Sequence, residues 1–146
     1  MVDQFNITPF NPEYKETIIS LLQSEGLPVE DLPLGLPNFL MAKYNGFIVG
    51  AIGMETYGHE GLLRSLVVKR AYRKMSIAAR MIEELERLAK TLEIKSIFLL
   101  TETAQDYFLK KGYEFLPREQ APGPIRQSSE FTHACPASAT LMQKKI

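Results

Sequence analysis

Apolar and polar positions in the first part of the chain follow the spacing of one strand and one helix. Residues 4–10 alternate weakly and predict a first strand. Residues 12–24 carry apolar side chains at helical spacing and predict a helix that Gly26 ends. Residues 27–37, which hold three prolines and a glycine, predict a loop or one short helical turn.

Two apolar runs, at residues 38–44 and 47–57, are joined by Asn45-Gly46. Asn-Gly between two strands is a strong hairpin signal, because both central residues of a type I′ turn take positive φ. A second turn at residues 58–61 leads into a third run at residues 62–69, which is rich in Leu and Val. The pattern predicts an antiparallel meander.

The hydrophobic period then changes to that of a helix. Residues 76–92 place apolar side chains on one face and charged side chains on the opposite face, which predicts an amphipathic helix. Residues 95–101 predict a short buried strand. Strand, helix and strand in this order predict a right-handed parallel crossover.

The last part of the chain alternates between short elements. Residues 104–111 predict a helix that Gly112 ends, residues 113–116 a strand, residues 117–136 a polar, proline-bearing loop, and residues 137–143 a closing strand. This order predicts a mixed α/β (α+β) fold, as one domain over residues 1–146, with helices flanking a mixed central sheet.

Composition and charge narrow the class of protein. The 146 residues are 45% hydrophobic and carry 17 basic and 17 acidic side chains, so we expect a globular protein with no electrostatic reason to bind nucleic acid or a membrane surface. A single cysteine, Cys135, and the lack of a signal-peptide pattern favour a cytoplasmic location. Two histidines and one cysteine do not supply a zinc site, so no metal is expected.

The segment after the third predicted strand carries the first motif. LRSLVVK is followed by Tyr72 and then by Arg73-Lys74-Met75-Ser76-Ile77-Ala78 at the start of a helix. This order resembles the GCN5-related N-acetyltransferase (GNAT) superfamily, in which a strand leads through R-x-x-G-x-G/A into a helix. The resemblance covers nearly the whole chain, and it implies splayed central strands and binding of acetyl-CoA by the residues from Arg73 to Ala78.

This segment departs from the family pattern at two positions. Ser76 stands where the family usually has glycine, and Lys74 stands at another position that is often glycine. A helix N-terminus still attracts a pyrophosphate through its unpaired N–H groups and its dipole. Ser76 is small, and its hydroxyl could donate a bond or cap the helix. We expect an altered acetyl-CoA site; the alternative is a plain helix start after a turn.

A second segment, LLTETAQDYFLKKGYEF, resembles the family's strand, helix and Gly-aromatic ending. The resemblance implies that Thr103 and Phe108 contact the cofactor. Many family members have a tyrosine four residues before the glycine, where it protonates the departing thiolate, but this chain has Phe108 there. Tyr107 precedes it, and one residue turns a helical side chain by about 100°, so Tyr107 does not simply substitute. Tyr107 is still a candidate catalytic residue, with half-buried packing as its alternative, and water or another group could supply the proton instead.

Two stretches of the sequence indicate the chemical class of the acceptor. Residues 99–104 resemble the amino-acid-acetylating branch, which includes enzymes like N-acetylglutamate synthase. Residues 121–139 look closer to the small acetyltransferases encoded in arsenic-resistance operons. The resemblance implies a small, amino-acid-like amine as acceptor and not arsenic as a ligand.

The implied reaction is direct attack of an unprotonated amine on the thioester. By the resemblance, a backbone N–H among Leu66, Val67 and Val68 would bond the acetyl oxygen. Glu55 is the first candidate for the proton acceptor, with a solvent-facing position as its alternative. Further candidates at the predicted strand ends and turns are His59, Glu60 and Glu102.

Two arginines are candidates for binding an acceptor carboxylate. Arg64 interrupts the apolar run LLRSLVV, and an arginine fork can hold a carboxylate with two hydrogen bonds. Its alternative is a solvent-facing arginine at the strand end. Arg126 is a second candidate clamp. Cys135 is expected to be a small packed residue rather than a nucleophile.

Three functions remain open from the sequence. The first is an acetyl-CoA-dependent N-acetyltransferase for a small amine. The second is a degenerate acyl-CoA-binding domain with little turnover, which the missing glycines and Phe108 suggest. The third is a protein or peptide acetyltransferase. Either a monomer or a homodimer fits the sequence.

Overall fold

Seven strands form one mixed sheet in the order β1-β2-β3-β4-β5-β7-β6. The structure is a computed structural model, and it describes residues 5–134 and 138–146. The strands are β1 Phe5–Pro9, β2 Phe39–Tyr44, β3 Phe47–Tyr57, β4 Glu60–Val68, β5 Ser96–Thr101, β6 Glu114–Phe115 and β7 Thr140–Lys145. The α-helices are α1 Lys15–Ser24, α2 Ile77–Thr91, α3 Gln105–Lys110 and α4 Gly123–Arg126.

The first four strands pair antiparallel in chain order, which confirms the predicted meander. Asn45 has φ 50° and Gly46 has φ 86° in the turn between β2 and β3. Both values are positive, as a type I′ hairpin turn requires. The predicted mixed α/β fold with flanking helices is confirmed as well.

β4 and β5 are parallel neighbours, but they pair over only three residues each. The last pair is Leu62 with Phe98, and beyond it the two strands separate. β5 then pairs with β7 along its whole length. The splayed central strands that the family resemblance implied are therefore present, and they leave an opening in the middle of the sheet.

The core lies on both faces of the sheet. The apolar face of α2 is buried as its period predicts, and it packs on β1 to β4. On the opposite face, α1 buries Ile18, Leu21 and Leu22 against side chains of β2, β3 and β4. No helix in the described residues has the length and apolar content needed to cross a bilayer.

Several regions differ from the sequence-based expectations; β4, for example, begins at Glu60, inside the turn that was predicted at residues 58–61. Arg70–Met75 forms a 3-10 helix between β4 and α2. The expected loop over residues 117–136 instead contains a 3-10 helix at Arg118–Gln120, helix α4 and a π-helical turn at Glu130–Ala134. Prolines do not exclude these helices. The N–H groups of a first helical turn have no partner within the helix, so a proline there removes no hydrogen bond. The closing strand β7 runs to Lys145 rather than ending at residue 143.

Candidate functional site

A cleft starts at the opening between β4 and β5 and extends to the N-terminus of α2. It consists of two adjoining cavities of about 410 Å³ each. The first, the gap cavity, is lined by residues of β4 and β5 and by Phe108. The second, the loop cavity, is lined by Val68, Arg73, Ala78 and Tyr107. Four residues line both cavities: Glu25, Leu27, Leu66 and Ala104.

Ser76 has a left-handed backbone at the start of α2, with φ 61° and ψ 23°. Glycine adopts this conformation without the steric cost that an L side chain carries. The serine hydroxyl makes no capping bond, so the expected side-chain cap is wrong. A capping residue normally has an extended backbone, and the left-handed conformation directs the Ser76 side chain elsewhere.

Arg73 lies where the loop cavity meets β4. Its Nε donates to the carbonyl oxygen of Val68 at 2.9 Å, and its Nη2 lies 2.8 Å from Oε1 of Glu25. Of its neighbours in the loop, Lys74 is exposed, Met75 is half-buried and Ile77 is buried in the core. Sequence reasoning missed Glu25, because a pair between the end of α1 and the turn before α2 leaves no local signal.

β4 contains a bulge next to the gap cavity. Ala51 pairs with Val67 and Gly53 with Arg64, so Ile52 alone faces the two residues between them on β4. The first of those two, Ser65, has φ 60°, a left-handed conformation that is uncommon for a residue other than glycine. A bulge bends a strand and redirects side chains, and here it lies where β4 leaves β5. After it, Leu66 lines both cavities.

Arg64 is buried, with its side chain 0% exposed, among three carboxylates. Nη1 donates to Asp31 at 2.8 Å and to Glu55 at 2.7 Å. Nη2 donates to Asp31 at 2.7 Å and lies 3.4 Å from Glu130. Nε donates to Oγ of Ser65 at 3.1 Å. Burial would lower the pKa of Arg64, but these bonds and charges outweigh it and raise that pKa.

These contacts contradict the solvent-facing alternative for Arg64. They also occupy its N–H groups, so an acceptor carboxylate could bind the guanidinium only by displacing an internal carboxylate. Asp31 and Glu130 were missed as partners of Arg64, because one lies in a loop and the other in a π-helical turn, both distant from Arg64 in the chain. Arg64 and Glu130 line the gap cavity, whereas Asp31 and Glu55 line another cavity of about 620 Å³. Arg64 and these three carboxylates form what we call the Arg64 cluster. The cluster thus separates the two cavities.

Glu55 points into this cluster and not into solvent. Its Oε2 accepts a hydrogen bond from Arg64, and its Oε1 accepts one from the hydroxyl of Tyr57. Burial and then the bond to Glu55 raise the pKa of Tyr57 above its usual range. Of the other candidates, His59 is exposed, and its Nδ1 lies 3.0 Å from the carbonyl oxygen of Glu93. Glu60 pairs with Ser96, where β4 and β5 are still joined.

Tyr107 and Phe108 line different cavities, although they are adjacent on α3. Phe108 is 4% exposed and lines the gap cavity, together with the exposed Thr103. Tyr107 lines the loop cavity, and burial raises the pKa of its hydroxyl. The two rings meet edge to face with centroids 5.6 Å apart. This arrangement agrees with the expectation that Tyr107 does not replace a tyrosine at position 108.

The two remaining candidates from the sequence are Arg126 and Cys135. Arg126 is exposed in α4 rather than in a loop, and its guanidinium donates to the carbonyl of Glu119. It does not line either cavity of the cleft. Cys135 lies outside the described residues. Within residues 5–134 and 138–146, no group of three His, Cys, Asp or Glu side chains is arranged to hold a metal ion.

Known proteins share this architecture. N-acetylglutamate synthase from Neisseria gonorrhoeae, complexed with coenzyme A and N-acetyl-glutamate, has a TM-score of 0.84 at 14% identity, over 99% of this chain and 36% of that one. A Mycobacterium tuberculosis protein in complex with coenzyme A has a TM-score of 0.84 at 16% identity, over 97% of this chain and 99% of that one.

A relative also matches this chain by sequence. An amino-acid acetyltransferase of Mannheimia succiniciproducens is 23% identical over an alignment of 120 residues, and the alignment covers 78% of this chain. The chain spans only about a quarter of that relative's length. Residues 8–113 match the Acetyltransferase (GNAT) family, and they include β4, the turn after it and α2. The match extends over more than half of the chain, which therefore belongs to the Acetyltransferase (GNAT) family.

Proposed function

We propose that this chain transfers the acetyl group of acetyl-CoA to the amine of a small molecule by direct attack. The observation that carries the proposal is the cleft, which runs from the N-terminus of α2 to the opening between β4 and β5. Two structural relatives are described in complex with coenzyme A, which supports the same donor here. The finer likeness to the acetyltransferases of arsenic-resistance operons stays a prediction.

The cofactor would be held by groups along this cleft. Its pyrophosphate would accept hydrogen bonds from N–H groups in the turn before α2 and in its first helical turn, which have no partner within the helix. Arg73 would add a positive charge at the same place. The rest of the cofactor would lie along β4 after the bulge, where the strand has lost its parallel partner. Tyr107 would contact the cofactor at the loop cavity.

The acetyl group would then lie in the gap cavity. The amine nitrogen forms a bond to the carbonyl carbon, and a backbone N–H among Leu66, Val67 and Val68 would stabilise the oxyanion. The C–S bond breaks and its electron pair stays on sulfur. The nitrogen loses a proton to water in the gap cavity, because Glu55 lines the cavity on the other side of the Arg64 cluster.

The acceptor has two candidate classes. The names of the relatives, an amino-acid acetyltransferase and an N-acetylglutamate synthase, favour an amino-acid-like amine. The Arg64 cluster favours an amine without a carboxylate, because the guanidinium already contacts three internal carboxylates. A panel of acceptors that pairs each amino acid with its decarboxylated amine separates the two classes.

Ligand-induced stabilisation and thiol release test the proposal together. Acetyl-CoA at millimolar concentration should raise the unfolding temperature, since a ligand of the folded state adds RT ln(1 + [L]/Kd) of stability. Ala78→Glu should abolish the rise, because it places a negative charge in the loop cavity. Ala79→Glu, one residue further and outside that cavity, is the matched control.

The two measurements separate the competing functions. If acetyl-CoA leaves the unfolding temperature of the wild-type protein unchanged, neither the enzyme nor the binding domain is correct. A rise without thiol release across the acceptor panel would leave the degenerate binding domain. Release only with a peptide acceptor would instead support the protein acetyltransferase.

A further inference from the structure

The gap cavity contains one hydroxyl that is buried beside a cation. The polar side chains that line the cavity are Glu25, Arg64, Ser65, Thr101, Glu102, Thr103 and Glu130. The three glutamates offer acceptors when ionised, and the N–H groups of Arg64 already have oxygen partners. Thr101 is half-buried and bonded to the N–H of Ala104, and Thr103 is exposed. Ser65 is 8% exposed.

The Ser65 hydroxyl is oriented by the arginine beside it. Its Oγ accepts from Nε of Arg64 at 3.1 Å, so its own hydrogen is directed away from that bond. Among the described residues, no hydrogen bond from this hydroxyl to an acceptor is found. A hydroxyl that accepts from a buried cation becomes a stronger donor, because hydrogen bonds in a chain polarise one another. Ser65 therefore offers a polarised donor to whatever enters the cavity.

The backbone conformation of Ser65 is also unusual. Its φ of 60° lies in the left-handed region, at the bulge where β4 leaves β5. Such conformations are costly for L residues and are found most often at active sites and ligand-binding positions. Ser65 lines the gap cavity, and Leu66, which follows it directly in the chain, lines both cavities.

We propose that the Ser65 hydroxyl is a catalytic hydrogen-bond donor to the sulfur atom that leaves as the C–S bond breaks. This inference rests on the proposed acetyl transfer. The electron pair of the broken bond moves to sulfur, and the Ser65 O–H stabilises the thiolate until solvent supplies its proton. Phe108 lines the same cavity but carries no donor. The backbone N–H groups of β4, and not Ser65, would stabilise the oxyanion.

Ionisation of bound coenzyme A tests this role without turnover. The ultraviolet absorbance of the thiolate, followed against pH in the complex with coenzyme A, gives the pKa of the bound thiol. Ser65→Ala should raise that pKa by about one unit, since a hydrogen bond to an ionised group stabilises it. Ser128→Ala removes another buried hydroxyl, one that donates to Ile125, and should leave the thiol pKa unchanged.

Turnover provides the second readout. Ser65→Ala should lower kcat by about 10-fold to 100-fold with little change in the affinity for acetyl-CoA, as expected for a donor that acts on developing charge. Ser65→Gly removes the same hydroxyl but suits the left-handed backbone, so it should lose as much kcat while remaining folded. Agreement between the two variants would separate loss of the hydroxyl from loss of the fold.

The outcomes distinguish this inference from the function on which it rests. A thiol pKa that is equal in wild type and Ser65→Ala would overturn the role of Ser65, whether or not kcat falls. A pKa shift seen in Thr101→Val instead would assign the donor to Thr101. If coenzyme A does not stabilise the wild-type protein, the proposed acetyl transfer fails together with this inference.

Discussion

At the scale of single residues, Ser76 shows how a side chain can replace a family glycine. Its backbone is left-handed, a conformation that glycine adopts without steric cost, and its side chain makes no capping bond. The sequence predicted correctly that a helix starts at about Ser76. It did not predict the left-handed backbone, because serine at a helix start normally has the extended conformation of a cap.

Replacing Ser76 by glycine should stabilise the protein. Ser76→Gly removes the steric cost of a left-handed L residue, so the free energy of unfolding should rise by about 1 kcal/mol. Ser20→Gly, at an exposed position inside α1, should lower it by about 0.5–1 kcal/mol. Urea unfolding measures both. A loss of stability in Ser76→Gly would show that the serine side chain makes a contribution we have not identified.

At the scale of elements, the Arg64 cluster connects parts of the chain that the sequence treats as separate. Asp31 belongs to the loop after α1, Glu55 to β3, and Glu130 to the π-helical turn before β7. The sequence identified Arg64 because a charge interrupts an apolar run. It could not identify the partners from the loops, since a polar residue in a loop has no hydrophobic period that reveals its contacts.

Removing the arginine should destabilise the protein strongly. Arg64→Met leaves carboxylates buried without their cation, and breaking a buried ion pair in this way costs about 3–5 kcal/mol. Arg70→Met is the control, because its side chain is 80% exposed and lies 3.7 Å from Glu25, and we expect a change within about 0.5 kcal/mol. Equal unfolding free energies for the two variants would contradict the structural role of Arg64.

Elements with a clear period were predictable, and those without one were not. The apolar face of α2 and the Asn45-Gly46 hairpin were predicted because each has a strong local signal. The helical turns over residues 117–136 were missed, because they are short and contain prolines. The cleft itself could be inferred only from the family resemblance, since no spacing in the sequence shows that two parallel strands separate.

At the scale of the whole molecule, buried tyrosines make stability depend on alkaline pH. Tyr113 is 2% exposed, and its hydroxyl donates to Glu86, which also pairs with Lys144. Burial, and then the charge of Glu86 and this bond, raise the pKa of Tyr113. Because the pKa is higher in the folded than in the unfolded protein, the contribution is present below about pH 10 and is lost as pH rises further.

We therefore expect the free energy of unfolding to fall as pH rises above about 10. In Tyr113→Phe the fall should be smaller, because the variant has no hydroxyl to ionise at this position. At neutral pH the variant should be less stable by about 1 kcal/mol, from the lost hydrogen bond to Glu86. Urea unfolding at a series of pH values measures both effects. The same alkaline slope in both proteins would show that Tyr113 does not control it.

The separation of β4 from β5 divides the sheet into a four-stranded leaf and a three-stranded leaf. Helix α2 packs on the strands of the first leaf, and three residue pairs at residues 60–62 and 96–98 form the hinge between the two. Beyond that hinge, backbone groups on the facing edges have no strand partner among the described residues. A ligand with amide groups that lies between the leaves would complete the interrupted ladder. Under the proposed function, the mechanical coupling of the two leaves would then depend on whether coenzyme A is bound.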